Sequence, residues 1–248
     1  MRFGPRPNPP RSIAIRNLTV AALLGLLMPG VARAADALPA PSFRPGMGWT
    51  YEQREDITGR DMGWVRLDVV AVAPGEVTVN FTRSGEQKAD ERWDAFGNWQ
   101  QVGSRGWDWL AQLGGRSKRI DFVPALPLYR FPLQPGASWA ETVRAADPEG
   151  GRKIEIRLFA KALKWEEVTV PAGKFMALKI RRTLAPEESG EFRSRTIVTL
   201  LDWYSPQTAG SVRTLCDWEF QDTRRPRGDE LVKGGRVRWD LSGYTPAK

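Results

Sequence analysis

Apolar and polar residues alternate with a period of two through most of the chain. In "GWVRLDVVAVA", Val65, Leu67, Val69 and Ala71 fall on one face, and in "EVTVNFTR" Val77, Val79 and Phe81 do. In "RKIEIRLFA", Ile154, Ile156 and Leu158 oppose Lys153, Glu155 and Arg157. Met176, Leu178 and Ile180 share a face, and Val237, Trp239 and Leu241 oppose Arg236, Arg238 and Asp240. This period predicts strands with one dry and one wet face, as antiparallel sheets have. Turn signals such as "APGE", "RSGEQ", "AFGN", "DPEGG", "VPAGK" and "SPQTAG" separate the runs. The chain therefore reads as all-β: a strongly curved antiparallel sheet, a half-barrel or open barrel, of about a dozen strands. One segment, "WDWLAQLGG" at 107–115, predicts a short helix that Gly114 would stop.

A second pattern lies over the first. Pro45-Gly46-x-x-Trp49 recurs as Pro135-Gly136-x-x-Trp139, each time just before a strand, a polar Gly-containing turn and a long alternating run. Pro-Gly suits a tight turn, and the Trp becomes the first inward residue of the strand that follows. The motif thus predicts a structural unit used twice, in a single domain over 35–248 whose halves are about 43–124 and 125–245. The Pro-rich segment 116–136 is either a joint between the halves or a stretch of one continuous sheet.

The start of the chain reads as a leader. Arg2, Arg6, Arg11 and Arg16 precede the apolar stretch "LTVAALLGLLMPGVA", which ends in Ala32-Arg33-Ala34, the small-x-small pattern of a signal-peptidase site. The apolar stretch falls short of the roughly 20 residues that a membrane span needs. Residues 1–34 are therefore expected to be a signal peptide of the general secretory route, with a periplasmic mature chain and no transmembrane segment left after cleavage. The charge changes accordingly. The chain has 37 Lys+Arg and 29 Asp+Glu; taking away the five arginines of residues 1–34 leaves 32 against 29, a net +3. Nucleic acid is not an expected partner at that balance.

The composition excludes much chemistry. No histidine is present, which removes Ser-His-Asp and Cys-His mechanisms and His-ligated zinc. Cys216 is the only cysteine, so no internal disulfide forms, and its parity with Val212 and Trp218 predicts a buried, inert thiol. Calcium loops and Gly-rich phosphate loops are missing from the sequence, and no cofactor or metal is implied. Adjacent acids such as Asp90-Glu91, Glu166-Glu167 and Asp229-Glu230 diverge on a strand, so none is a ready carboxylate pair.

Tryptophan supplies the candidate site. The chain has 11 Trp, and five stand beside an Asp: Trp93-Asp94, Trp107-Asp108, Asp202-Trp203, Asp217-Trp218 and Trp239-Asp240. On strands this pairing predicts Trp inward and Asp outward. Around "RWDAFGNWQQVGSRGWDWL" the periodicity breaks, and Trp93, Phe96, Trp99, Trp107 and Trp109 crowd a Gly-rich stretch. Such rings either plug an open sheet or line an apolar cleft. Arg193/Arg195 and Arg236/Arg238 share faces at i, i+2; they suit an anionic headgroup or a solvated face that discourages edge pairing.

Two stretches carry a family resemblance. Val170-Pro171-Ala172-Gly173-x-Phe175-x-Ala177-x-x-Ile180, followed by Trp203-Tyr204-Ser205-Pro206-x-x-x-Gly210-x-Val212, resembles a group of exported bacterial proteins of unknown function. The resemblance implies an antiparallel barrel-like or half-barrel sheet in the periplasm and transfers no catalytic residue. A looser similarity is to periplasmic lipoprotein carriers, whose curved sheet holds acyl chains. The leading expectation is a non-enzymatic periplasmic binding or envelope-accessory protein, with a lipid or other apolar ligand on the concave face beside Trp93, Phe96, Trp99, Trp107 and Trp109. The alternatives are a carboxylate enzyme on envelope glycans, with Asp94 and Asp108 as first suspects, and a structural partner in an envelope protein complex.

Overall fold

The protein is described by a computed structural model covering residues 1, 4, 37–84, 89–103, 119–148, 151, 153–187, 193–224 and 231–247. The chain divides into two compact units, Met1–Ala34 and Ala35–Lys248. The expected signal peptide falls almost wholly outside the described residues, as does the expected helix at 107–115.

The second unit is a closed β-barrel. Its strands are β1 (Gly48–Glu55), β2 (Asp61–Ala73), β3 (Glu76–Arg83), β4 (Ala89–Trp93), β5 (Trp99–Val102), β6 (Ile120–Leu126), β7 (Ser138–Ala146), β8 (Lys153–Val170), β9 (Gly173–Pro186), β10 (Arg193–Ser205), β11 (Gly210–Asp222) and β12 (Leu231–Thr245). Each pairs antiparallel with its sequence neighbours, and β12 returns to β1. The expected half-barrel or open barrel is therefore closed. Trp49 stands opposite Tyr244 and Glu55 opposite Val237, with a register shift between Thr50 and Tyr51. Closure leaves no free sheet edge, the hazard of any open antiparallel sheet. No helix occurs among the described residues.

The Pro-rich segment is barrel wall. β6 carries Pro124 and still pairs with both β5 and β7, so the sheet runs unbroken through it. Ahead of β1, Leu38 exchanges two backbone hydrogen bonds with Leu133, at 2.7 and 3.0 Å.

The two Pro-Gly turns are built alike. Gly46 and Gly136 have φ of 89° and 87°, a left-handed conformation that glycine adopts without steric cost. Gly46 N donates to Val69 O while Val69 N donates to Met47 O; Gly136 N donates to Ala162 O while Ala162 N donates to Ala137 O. In both cases the receiving residue adjoins a register shift, between Val69 and Ala71 in β2 and between Ala162 and Trp165 in β8. A bulge bends its strand, so each turn docks at a bend of the wall. Trp49 and Trp139 are buried as expected, and each indole N–H donates 2.8 Å to a loop carbonyl, of Thr208 and Pro127 respectively.

The bulges also correct two assignments. Beyond the β2 bulge, Ala71 pairs with outward Thr78 and is exposed. In β9, opposite the β8 bulge, the burial parity changes: Ala177 and Leu178 are both buried and Met176 is exposed. Elsewhere the alternation holds: Ile154, Ile156 and Leu158 are buried while Lys153, Glu155 and Arg157 are exposed. This sidedness is the reverse of a lipid-spanning barrel, whose apolar band faces outward around a polar lumen. Cys216 is buried, as expected. Arg236 and Arg238 pair with Asp56 at 3.3 and 3.2 Å, and Arg238 also with Asp240 at 3.1 Å. Arg195 is exposed, and the side chain of Arg193 lies outside the described residues.

One Trp-Asp pair is inverted. Asp202 shares the inward parity of Val198, Leu200 and Tyr204, and Trp203 faces outward, against the expectation. Trp203 is nevertheless covered: its Nε1 donates to Glu166, and the Lys179 ammonium lies 4.6 Å from its ring centre. The Trp203 hydrogen bond, with help from Lys164 and Lys179, holds the Glu166 carboxyl below the usual carboxylate range. A carboxyl depressed on folding stabilises above its unfolded pKa and loses that contribution as pH falls through the folded value. Glu166→Gln should therefore lower the urea midpoint at pH 7, and the gap from the parent should close as pH falls from 5 to 3. A gap that stays constant with pH would show that the contact is not charge-assisted.

Candidate functional site

One end of the barrel carries the turns β2–β3, β4–β5, β8–β9 and β10–β11 and the longer β6–β7 connection. There the lumen opens into a cleft of about 760 Å³ of free space, its open mouth included. Its walls are aromatic. Trp49 and Tyr51 come from β1, Trp93 from β4, Trp99 from β5, Tyr204 from β10 and Trp239 from β12, with Phe43, Phe96 and Tyr129 from the loops above. The rings touch in edge and tilted arrangements: Phe43 to Trp93 at 6.0 Å, Trp49 to Trp93 at 6.2 Å, Tyr129 to Tyr204 at 5.1 Å and Phe131 to Tyr204 at 5.7 Å between centres. Offset and edge-on contacts suit the ring quadrupole and fix the walls before anything binds.

The floor is polar. Arg182 on β9 and Asp202 on β10 form an ion pair at 3.1 Å, their side chains 3% and 4% exposed. Asp202 Oδ2 also accepts from Tyr129 Oη at 2.8 Å. Its Oδ1 accepts from Thr214 Oγ1 at 2.8 Å and from Ser211 Oγ. Arg182 Nε donates to Leu128 O at 2.6 Å, and the guanidinium lies 4.7 Å from the Tyr129 ring centre. A charge pair out of water holds its place only when its remaining donors and acceptors are matched, and here both carboxylate oxygens are. Burial first, then the Asp202 charge, pushes the Tyr51, Tyr129 and Tyr204 phenols up. All three are therefore neutral hydrogen-bond donors at physiological pH.

The β4–β5 turn ties the mouth to the floor. Asp94 accepts from Phe96 N at 2.8 Å, Asn98 N at 2.9 Å and Asn98 Nδ2 at 3.0 Å, and Asn98 Oδ1 accepts from Tyr129 N at 2.7 Å. Gly97, at φ 82°, closes the turn so tightly that an added Cβ would sit 3.2 Å from the Phe43 ring. Asp94 is thus occupied in positioning the turn.

Of the aromatic residues singled out in the sequence, the structure brings Trp93, Phe96 and Trp99 to this cleft. Trp107 and Trp109, with Asp108, lie outside the described residues. Trp49, expected to be structural, is both a turn anchor and a wall of the cleft. Sequence reasoning missed Arg182, Asp202, Tyr129, Tyr204, Ser211 and Thr214. A signal for the first two was present. Arg182 shares parity with Ile180 and Leu184, and Asp202 with Val198 and Leu200, so opposite charges interrupt the apolar faces of adjoining strands.

The barrel is similar to those of two solved bacterial proteins. One is a "putative exported protein with YmcC-like fold" from Bacteroides fragilis, 18% identical, with a TM-score of 0.53 over 85% of this chain and 100% of that one. The other is a "putative lipoprotein" from Parabacteroides distasonis, 18% identical, with a TM-score of 0.50 over 84% of this chain and 99% of that one. At that identity the likeness is one of fold. No protein-family model and no curated protein matches the chain.

Removing one partner of the floor pair strands the other's charge in the lumen. Arg182→Ala should cost about 3–5 kcal/mol of stability, as breaking a buried pair does. Replacing both at once, Arg182→Met with Asp202→Leu, should cost less than Arg182→Ala alone. Urea unfolding of the three proteins checks this, and an Arg182→Ala loss under about 1 kcal/mol would class the pair with solvated surface pairs.

Proposed function

We propose that the chain is exported and works in the cell envelope as a non-enzymatic binding protein, holding a small apolar or amphipathic molecule in the aromatic cleft. The observation that carries this reading is the cleft itself: indole, phenol and phenyl faces around an open space, with a polar floor. That is the make-up of small-molecule sites, mostly apolar walls with a few fixed polar groups. Export rests on the basic leader, its apolar stretch and the Ala-Arg-Ala site. The resemblance to exported bacterial proteins agrees with it, and so do the names of the two solved neighbours, an exported protein and a lipoprotein.

The glycan-hydrolase alternative finds less support. Among the described residues that line the cleft Asp202 is the sole carboxylate, and its oxygens are filled by Arg182, Tyr129, Ser211 and Thr214. Glycoside hydrolysis of the usual kind calls for two carboxyls roughly 5–10 Å apart, one of them free to move a proton.

Native mass spectrometry of the protein purified gently from a periplasm should show an added mass that organic extraction removes. Phe96 is 45% exposed at the cleft mouth, so Phe96→Ala should keep the parent's melting temperature while the adduct fraction falls at least severalfold. A bare polypeptide mass in the parent protein would count against the reading, and an adduct indifferent to Phe96→Ala would move the site elsewhere.

A further inference from the structure

We infer that the cleft selects a neutral amphiphile, and that Arg182 and Tyr204 receive its ester, amide or hydroxyl oxygen at the floor. The inference rests on the binding reading above and adds the chemistry of the headgroup. It starts from the hydrogen bonds that the floor leaves unmade. Arg182 uses Nε on Leu128 O and Nη2 on Asp202, and its Nη1 donates to nothing among the described residues. The Tyr204 hydroxyl likewise makes no hydrogen bond among the described residues, although Tyr204 is only 2% exposed. Both side chains line the cleft. Both unused groups are donors, since a guanidinium has no acceptor and burial keeps the phenol protonated. Both donors face the open space of the cleft, so an acceptor oxygen brought to this floor takes the place of water on them.

The charge balance decides which acceptor. Arg182 and Asp202 are the ionised residues among the described ones that line the cleft, and they cancel. A carboxylate or phosphate would bring an unmatched negative charge to a floor whose one cation is already paired, between largely apolar walls, which is the costly case. A cation fares no better, because Asp202 already accepts four hydrogen bonds and offers no free lone pair. A neutral carbonyl or hydroxyl oxygen accepts from such donors and leaves the balance intact. The apolar remainder of the molecule then lies between Trp49, Trp93, Trp99 and Phe43, toward the mouth.

Tryptophan fluorescence titrations of the mature chain with methyl octanoate, octanoate, octyltrimethylammonium and n-octane test this. Methyl octanoate should bind tightest of the four. Tyr204→Phe removes one oxygen and no packing; it should weaken methyl octanoate roughly threefold to tenfold, the worth of one neutral hydrogen bond, and leave n-octane unchanged. Asp202→Asn frees the Arg182 charge and should turn the preference to octanoate; if that variant does not fold, the Tyr204→Phe arm decides alone. If octanoate binds the parent better than the ester, the neutral-headgroup inference is overturned. Equal binding of n-octane and methyl octanoate, unmoved by Tyr204→Phe, overturns it too and leaves the apolar binding reading standing. Failure of all four probes to bind would sink both.

Discussion

A closed ring of twelve strands encloses more room than aliphatic side chains can fill, and the rest of the structure follows from that constraint. About eight strands make a barrel that ordinary inward side chains just fill; larger rings need bulkier contents or keep a cavity. This chain uses both solutions. Trp49, Trp93, Trp99, Trp139, Trp218 and Trp239 all point inward and are buried, and rings from the loops extend the filling to the mouth. The excess of tryptophan is thus first a matter of volume. Each indole brings a large apolar face and one N–H that needs an acceptor, and the loop carbonyls of Thr208 and Pro127 supply two of them.

Filling and curvature are linked. A wall must bend to close, and the bends sit at the register shifts of β2 and β8, where the two Pro-Gly turns dock. Each turn also delivers a Trp to the lumen just after it. The motif that repeats in the sequence therefore sets a bend and fills the space beneath it in one short stretch. Closure through β1 and β12 joins residues such as Trp49 and Tyr244 from opposite ends of the domain, so the barrel forms only when the whole chain has wound round.

Period two gives the face of each residue, which is why the all-β class, the inward side of most strands and the burial of Cys216 were legible in the sequence. It says nothing of which strands meet, so an open half-barrel and a closed barrel read alike. It also fails where a bulge inserts a residue, as at Ala71, and where burial changes parity within a strand, as at Met176. The site was half legible. Trp93, Phe96 and Trp99 stood out because their spacing broke the alternation around the β4–β5 turn. Arg182 and Asp202 did not, because each lies in a well-patterned strand, and the rule that an Asp beside a Trp faces out hid the one pair where Asp202 faces in. A charge at an apolar parity on one strand, answered by its opposite on the next, is the pattern to look for.

Plug and cleft, which the sequence set against each other, are the same feature at two depths. The inward rings pack against one another along the wall, and near the mouth they stop short of meeting, at the level where Arg182 and Asp202 cross the floor. An apolar filling could have been continued there with another ring. A buried ion pair is a weak source of stability, and apolar residues of like volume often do as well or better. What the pair supplies instead is direction. Tyr129, Ser211 and Thr214 are all turned toward Asp202, and Tyr129 is in turn held by Asn98 and, through it, by Asp94 in the turn above. The floor is thereby fixed to the rim in advance, the preorganisation that lowers the ordering cost of the binding proposed above.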